Sequence, residues 1–411
     1  MDITVKTAKL KGKVDVIDSK SEAHRKLICS LLGFEKTAID CKNKSEDIKA
    51  TIDCMKALGA EVLQSENRIF IDSEKRLNDK VVLNCRESGS TLRFFIPIVC
   101  ALGLNATFIG EGRLPERTNV VLIEVLSKHG CEFDKPDGLP LSVKGKLTSG
   151  IYEIPGDISS QYISGLLFAL PMLDGDSLIK ISGKTESAPY IELTIEALSE
   201  FGIQVDFDKA KNEIKVFGNQ KYKSPENVNV NGDWSNGAFW LCLSEFNGNE
   251  ITVGNLKNDS SQGDRAVVEI IKKIKNAPQG EVVTIDCRQI PDLVPVLSVF
   301  ACSRIGETVF IGCERLKIKE SDRIKTTVDM INNLGGSAEE TADGIKINGN
   351  GRLIGGPVCC FNDHRIAMSS AVASSLCDGD VVIQGAECVK KSYPNFFEEF
   401  ERLGGQIERS M

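Results

Sequence analysis

Histidine is scarce in this chain of 411 residues: His24, His129 and His364 are the only three. Its 14 cysteines include no C-x-x-C, and the one close pair is the vicinal Cys359-Cys360. Metal sites need His and Cys clustered at ligand spacing, so no structural metal is expected. Most cysteines stand in apolar stretches, as Cys100, Cys242 and Cys302 do, where the thiol behaves as a small hydrophobe. The expectation is a reduced, cytoplasmic protein.

A membrane-length apolar run is also missing. The longest uncharged stretch, Phe94 to Gly110, is interrupted by Pro97, Gly103 and Asn105 and falls short of the roughly 20 residues a span requires. It reads as a buried helix leading into a strand. The opening Met1-Asp2-Ile3-Thr4-Val5-Lys6 lacks the pattern of a signal peptide. Basic charge is not in excess: 50 Lys and Arg against 58 Asp and Glu give a net charge of −8. That argues against a general nucleic-acid or anionic-membrane binder, whose surface would be basic. A local basic cleft remains compatible with it.

What the chain does contain is repetition. Six times a nearly uncharged apolar helix pattern begins just after a polar cluster. These clusters are Ser19-Lys20-Ser21, Ser88-Gly89-Ser90, Ser159-Ser160-Gln161, Asp233-Trp234-Ser235, Pro291-Asp292 and Asn362-Asp363-His364-Arg365. An amphipathic helix pattern follows each, usually stopped by glycine. Ile48, Ile52, Met55 and Leu58 before Gly59 form the first copy; later copies end at Gly130, Gly202, Gly335 and Gly404. The copy over Asp264–Lys275 is degenerate and lacks the glycine. Spacing is roughly 70 residues, as in a large supersecondary repeat. Hairpin patterns follow, such as Glu61–Asp72 and Ser337–Asn348 turning at Asp343-Gly344. One unit therefore reads as strand, buried helix, strand, amphipathic helix, two strands.

Six such units exceed one core, since single cores stop growing near about 250–300 residues. Three per domain is the natural division, with the polar stretch Lys221–Asn231 as the crossover. The buried helices would then start at one end of each domain, and two such ends facing one another would make a cleft. Helix starts present unpaired N–H groups and a positive dipole end, which suit anions. Ser, Asp or Asn there is also an ordinary N-cap. Lys20, Arg25, Arg93, Arg323 and Arg365 fall in or near such turns, and Arg117 and Lys391 stand just before amphipathic helices. Cations in a first turn oppose the dipole, so their recurrence points to anionic ligands.

Eight segments in order resemble the motifs of the 5-enolpyruvylshikimate-3-phosphate synthase family. They are Ser19-Lys20-Ser21-Glu22-Ala23-His24-Arg25, Ser88-Gly89-Ser90-Thr91-Leu92-Arg93, Arg113-Leu114-Pro115-Glu116-Arg117, Ser159-Ser160-Gln161, Ser187-Ala188-Pro189-Tyr190, Lys319-Glu320-Ser321-Asp322-Arg323, Asp363-His364-Arg365 and Lys391-Ser392-Tyr393-Pro394. The resemblance implies an α/β (α+β) fold of two globular domains. Each would hold three βαβαββ repeats with pseudo-threefold symmetry, the inside-out α/β barrel of the enolpyruvyl transferases. Residues 19–231 would form the domain binding mainly shikimate 3-phosphate. Residues 1–18 and 232–411 would form the other, completing the phosphoenolpyruvate site in the interdomain cleft.

The implied reaction belongs to the shikimate pathway of aromatic amino-acid biosynthesis. The enolpyruvyl group of phosphoenolpyruvate passes to the 5-hydroxyl of shikimate 3-phosphate, and phosphate leaves through a tetrahedral intermediate. No cofactor is implied. Glyphosate would be an inhibitor, and the partners would be these small molecules alone, with a monomer and no nucleic acid or membrane. The two substrates bring on the order of −5 to −6 of charge near neutral pH. By the resemblance, Lys20, Ser21, Arg25, Ser159, Ser160, Gln161, Ser187, Tyr190, Asp292 and Lys319 contact shikimate 3-phosphate. Lys20, Gly89, Arg117, Gln161, Arg323, Arg365 and Lys391 contact phosphoenolpyruvate, for whose carboxylate and phosphate bidentate Arg is suited. Asp292 is the candidate base, with helix capping as its rival reading. Glu320 is the candidate acid, and Lys20 and His364 could share proton transfer.

Two departures stand out. Ile17-Asp18 replaces the usual Pro or Gly before Ser-Lys-Ser, and Glu87 stands where the family has Asn or Asp two residues before the glycine. A sister transferase acting on UDP-N-acetylglucosamine would carry a reactive cysteine in the Gly110–Thr118 loop, which has none. A non-catalytic sensor of phosphorylated metabolites is the remaining alternative; Lys20, Asp292, Glu320 and Lys391 argue against it.

Overall fold

The computed structural model describes residues 1–74, 78 and 80–409. The chain forms two compact units, Asp18–Asn231, and Met1–Ile17 with Gly232–Met411. Each has its own apolar core.

The unit Asp18–Asn231 contains helices α1 (Lys20–Leu32), α2 (Glu46–Leu58), α3 (Gly89–Leu102), α4 (Val120–Ser127), α5 (Ser160–Ala169) and α6 (Ala188–Glu200). Its strands form three four-stranded sheets of one pattern. In the second repeat, Lys80–Asn84 runs parallel to Asn105–Ile109, which pairs antiparallel with Leu141–Gly145, and that in turn with Cys131–Phe133. Ile151–Pro155, Ser177–Ser182, Glu213–Val216 and Val205–Asp208 repeat this order. The first sheet takes its parallel edge from the far end of the unit. Asn227–Asn229 pairs with Lys36–Asp40, so the expected crossover stretch contributes a strand that completes the first repeat.

Helices α3 and α5 are buried almost throughout. They meet closely at Gly165, where a Cβ would lie 2.4 Å from the carbonyl oxygen of Arg93; only glycine permits that backbone approach. Helix α1 departs from the uncharged pattern. It is buried yet carries Glu22, Arg25 and Lys26. These charges survive burial because they are paired. Lys26 Nζ lies 2.8 Å from Glu22 and 3.0 Å from Glu200, and Glu22 accepts from the backbone and side-chain amides of Asn231.

The other unit contains α7 (Trp234–Ser244), α8 (Val267–Asn276), α9 (Val294–Cys302), α10 (Arg323–Asn333), α11 (His364–Ala373) and α12 (Phe396–Arg402). Among the described residues one of its repeats is complete in sequence order: Val283–Asp286, Ile305–Ile311, Ile345–Asn350 and Ala338–Glu340. The last repeat borrows the N-terminal strand Ile3–Lys6, which lies between Val381–Gln384 and Gln406–Arg409. The fourth has two strands, Lys11–Asp15 and Glu250–Gly254. Among the described residues the six repeats thus give five four-stranded sheets and one of two strands. Segment 277–282 is too short to supply a hairpin after α8.

Five of the six buried helices begin as capped starts. Ser19, Ser88, Ser159, Asp233 and Asp363 each accept a backbone N–H from the first turn. Helix α9 is the exception: the 3-10 turn Pro291–Leu293 precedes it, and neither has a side-chain cap.

Candidate active site

In the unit Asp18–Asn231, the candidate residues lie at the starts of its helices. Lys20 opens α1 and pairs with Asp47 of α2 at 2.8 Å, both largely buried. Arg25, one turn further, donates to Thr194 Oγ1 at 2.8 Å, to the Ser21 carbonyl at 2.7 Å and to the Tyr190 carbonyl at 2.8 Å. It thereby joins α1 to α6, whose start is shaped by Ser187 at φ 54. Burial pulls the Arg25 guanidinium down to about 10, still charged at neutral pH. His24 is wholly buried; burial first, then Lys20 and Arg25, hold it well below its usual value, so it is neutral.

Helices α3 and α5 supply the next group. Gly89 is the first residue of α3, and a Cβ there would lie 2.9 Å from an Arg117 guanidinium nitrogen. Arg93 Nη1 donates to Gln161 Oε1 at 2.7 Å, and Gln161 Nε2 donates to Ser90 Oγ at 2.9 Å. Gln161 thus bridges the two helix starts. Ser159 caps α5, and Ser160 is its buried first residue.

The other unit gathers its candidates around Asp292. Arg323 Nη1 donates to Asp292 Oδ1 at 2.8 Å, Arg365 Nη2 donates to Oδ2 at 3.0 Å, and Lys319 Nζ lies 3.5 Å from Oδ1. Burial pushes this carboxyl up, but Arg365, Lys319 and Arg323 outweigh it and hold it well below the carboxylate range. With these partners Asp292 is not a capping residue. Arg323 is only 1% exposed and also donates to Glu320 Oε2 at 2.6 Å and to Asp363 Oδ2 at 2.8 Å. Burial opposes its charge, yet Asp363, Glu320 and Asp292 together raise its pKa. Burial depresses Lys319 to about 8, with Asp292 opposing and Arg323 and Arg315 assisting. His364 is buried at the start of α11. Lys391 donates to the Asn362 carbonyl at 2.8 Å.

Several partners escaped sequence reasoning. Asp47 is a first-turn acid of α2 that no motif singles out. Asp363 looked like a cap, which it is, but it also accepts from Arg323 and from Ser321 Oγ at 2.9 Å. Asp264, in the degenerate copy, is buried against Ser235 Oγ. Burial, then Asp292, pushes its carboxyl up to about 6. Spacing gave no signal for these, because each pairing joins different helices.

Each unit thus carries cations at helix starts, held by carboxylates and carbonyls that a small anion could replace. With βαβαββ repeats as the frame, this is the architecture of an enolpyruvyl transferase. The model of the EPSP synthase (3-phosphoshikimate 1-carboxyvinyltransferase) family matches residues 5–400. The chain belongs to that family. It is 42% identical over 420 residues to a 3-phosphoshikimate 1-carboxyvinyltransferase of Clostridium kluyveri, covering 99% of this chain and 98% of that one. The corresponding protein of Clostridium acetobutylicum is 40% identical over 414 residues, covering 97% and 96%. Among solved structures, an EPSP synthase from Acinetobacter baumannii superposes with a TM-score of 0.83 at 22% identity over the full length of both chains. At that identity the likeness is one of fold.

Proposed function

We propose that this chain transfers the enolpyruvyl group of phosphoenolpyruvate to the 5-hydroxyl of shikimate 3-phosphate and releases phosphate. The observation that carries the reading is the single carboxylate of Asp292 held by Lys319, Arg323 and Arg365. Arg323 is shared with Glu320 and Asp363, so Arg365 and Lys319 are the cations a further anion can draw on, and the carboxylate is a base whose strength depends on them. Without substrate, Asp292 is a poor base because its charge is so well stabilised. A phosphate or carboxylate that draws Arg365 and Lys319 to itself weakens that hold and raises the basicity of Asp292. The base is thus strengthened by the anions it acts beside.

In this reading Asp292 takes the proton of the 5-hydroxyl. Glu320, hydrogen-bonded to Arg323, delivers a proton to the phosphoenolpyruvate methylene, with Lys20 and His364 sharing the transfer. Attack of the 5-oxygen on the protonated donor's C2 forms the tetrahedral ketal phosphate. Loss of phosphate with a methyl proton then restores the enol ether. Ser21, Arg25, Ser159, Ser160, Gln161, Ser187, Tyr190 and Lys319 hold the phosphorylated acceptor. Gly89, Arg117, Arg323, Arg365 and Lys391 hold the donor, and Lys20 and Gln161 serve both. Arg323 is the deepest of these, and it orders Asp292, Glu320 and Asp363 about itself.

The protein acts as a monomer in the cytoplasm, where its free thiols, 13 of 14 buried, stay reduced. Among the described residues no helix is long and apolar enough to cross a membrane. Glyphosate, an anionic competitor of phosphoenolpyruvate, inhibits it. Phosphate release measured with both substrates is the test. Release only with UDP-N-acetylglucosamine as acceptor, or with neither acceptor, would overturn the reading.

A further inference from the structure

Glu87, the departure from the family pattern beside Gly89, has a definite destination. A Cβ at Gly112 would lie 2.3 Å from Glu87 Oε2 and 2.5 Å from its Cδ, so the carboxylate rests on the backbone of the Gly110–Thr118 loop. Gly112 has φ +57, and the left-handed conformation and the contact both call for glycine. A second contact runs the other way. Arg117, from the same loop, places its guanidinium where a Cβ of Gly89 would lie, 2.9 Å from the nearer nitrogen. Backbone closes the joint: the Glu111 N–H donates to the Arg86 carbonyl at 2.7 Å.

The two side chains therefore cross. Residue 87, before α3, reaches the loop at 112; residue 117, in the loop, reaches the start of α3 at 89. We propose that Glu87 is a positioning residue that sets the place of Arg117 over Gly89, and with it the affinity for the enolpyruvyl donor. This rests on the assignment of Arg117 and Gly89 to that donor. Length is the operative property. Asp and Asn are one methylene shorter, so their carboxyl or amide carbon would stand where Glu87 Cγ now lies, 3.0 Å from that Cβ position instead of the 2.5 Å of Cδ, which loosens the contact, whereas Gln has the reach and an acceptor oxygen. A carboxylate near a helix start is also favoured by the dipole, so a purely electrostatic role predicts the opposite ranking of substitutions.

The experiment is amide hydrogen exchange over residues 110–118 in the full-length protein, with KM for each substrate and a melting curve. Glu87→Gln should leave loop exchange and both KM values as in the wild type. Glu87→Asp and Gly112→Ala should speed loop exchange and raise KM for phosphoenolpyruvate about ten- to a hundredfold. Neither should alter KM for shikimate 3-phosphate. The proposal is overturned if Glu87→Asp matches the wild type while Glu87→Gln lowers KM for phosphoenolpyruvate, or if loop exchange is the same in all three variants. Exchange needs no turnover, so it decides the brace even if the wild type releases no phosphate. That last result would instead sink the assigned reaction.

Discussion

Arg323 Nη1 and Asp292 Oδ1 lie 2.8 Å apart, tying the turn before α9 to the first residue of α10. Arg365 and Lys319 share the same carboxylate. The arrangement couples the carboxylate to its cations, since whatever occupies them changes the proton affinity of Asp292.

Asp292→Asn keeps the shape and removes the proton acceptor. Turnover should fall by about 10²–10⁴, while phosphoenolpyruvate still binds, because Arg365 loses a competing carboxylate and Arg323 keeps Glu320 and Asp363. Steady-state kinetics and direct binding check both halves. Turnover close to wild type would remove Asp292 from the role of base.

Lys319 is expected to make acceptor binding depend on pH. Its ammonium sits at about 8 in the folded protein, depressed mainly by burial, against about 10.4 in an unfolded chain. Between those values the unfolded state binds the additional proton, so this group's contribution to stability rises with pH and is least favourable below the folded value. Over the same window the ammonium charge of Lys319, proposed above to hold shikimate 3-phosphate, disappears. Binding measured by calorimetry should weaken above about pH 8, and Lys319→Arg should move the loss upward. An identical profile in the variant would assign it to another group.

Gly89→Ala brings a methyl to within 2.9 Å of the Arg117 guanidinium, closer than such atoms can pack. Arg117 must shift. Inhibition by glyphosate should be relieved and KM for phosphoenolpyruvate should rise. An unaltered inhibition curve contradicts the steric argument.

Lys20→Ala should abolish most activity, but its pairing with Asp47 adds a cost in stability. A largely buried carboxylate losing its partner costs about 1–3 kcal/mol. Adding Asp47→Asn should restore the melting temperature and not the turnover. Recovery of both would make Lys20 a structural residue. Arg117→Ala should likewise lose activity.

Much of the frame was legible in local pattern. Gly59 and Gly335 stop helices where the periodicity ends, in left-handed conformations. Ser19, Ser88, Ser159, Asp233 and Asp363 cap the helices they precede. These features depend on residues a few positions apart, and short-range sequence encodes them. The Ile3–Lys6 strand inside the last repeat was not legible, nor was the missing hairpin of the fourth. Strand pairing between Ile3 and Arg409 is set by where the whole chain returns, and no local spacing records it.

The chemistry divides the same way. Residue types and their recurrence at helix starts were enough to call for anionic ligands, because a first-turn cation conflicts with the helix dipole wherever the helix lies. Which carboxylate meets which cation was decided only in three dimensions. Asp292 is 31 residues from Arg323 and 73 from Arg365, and Lys20 is 27 from Asp47. Coulombic pairing acts over a few ångströms, so distances of that kind exist only once the helices have packed. That packing turned Asp292 from a possible cap into a carboxylate held by three cations.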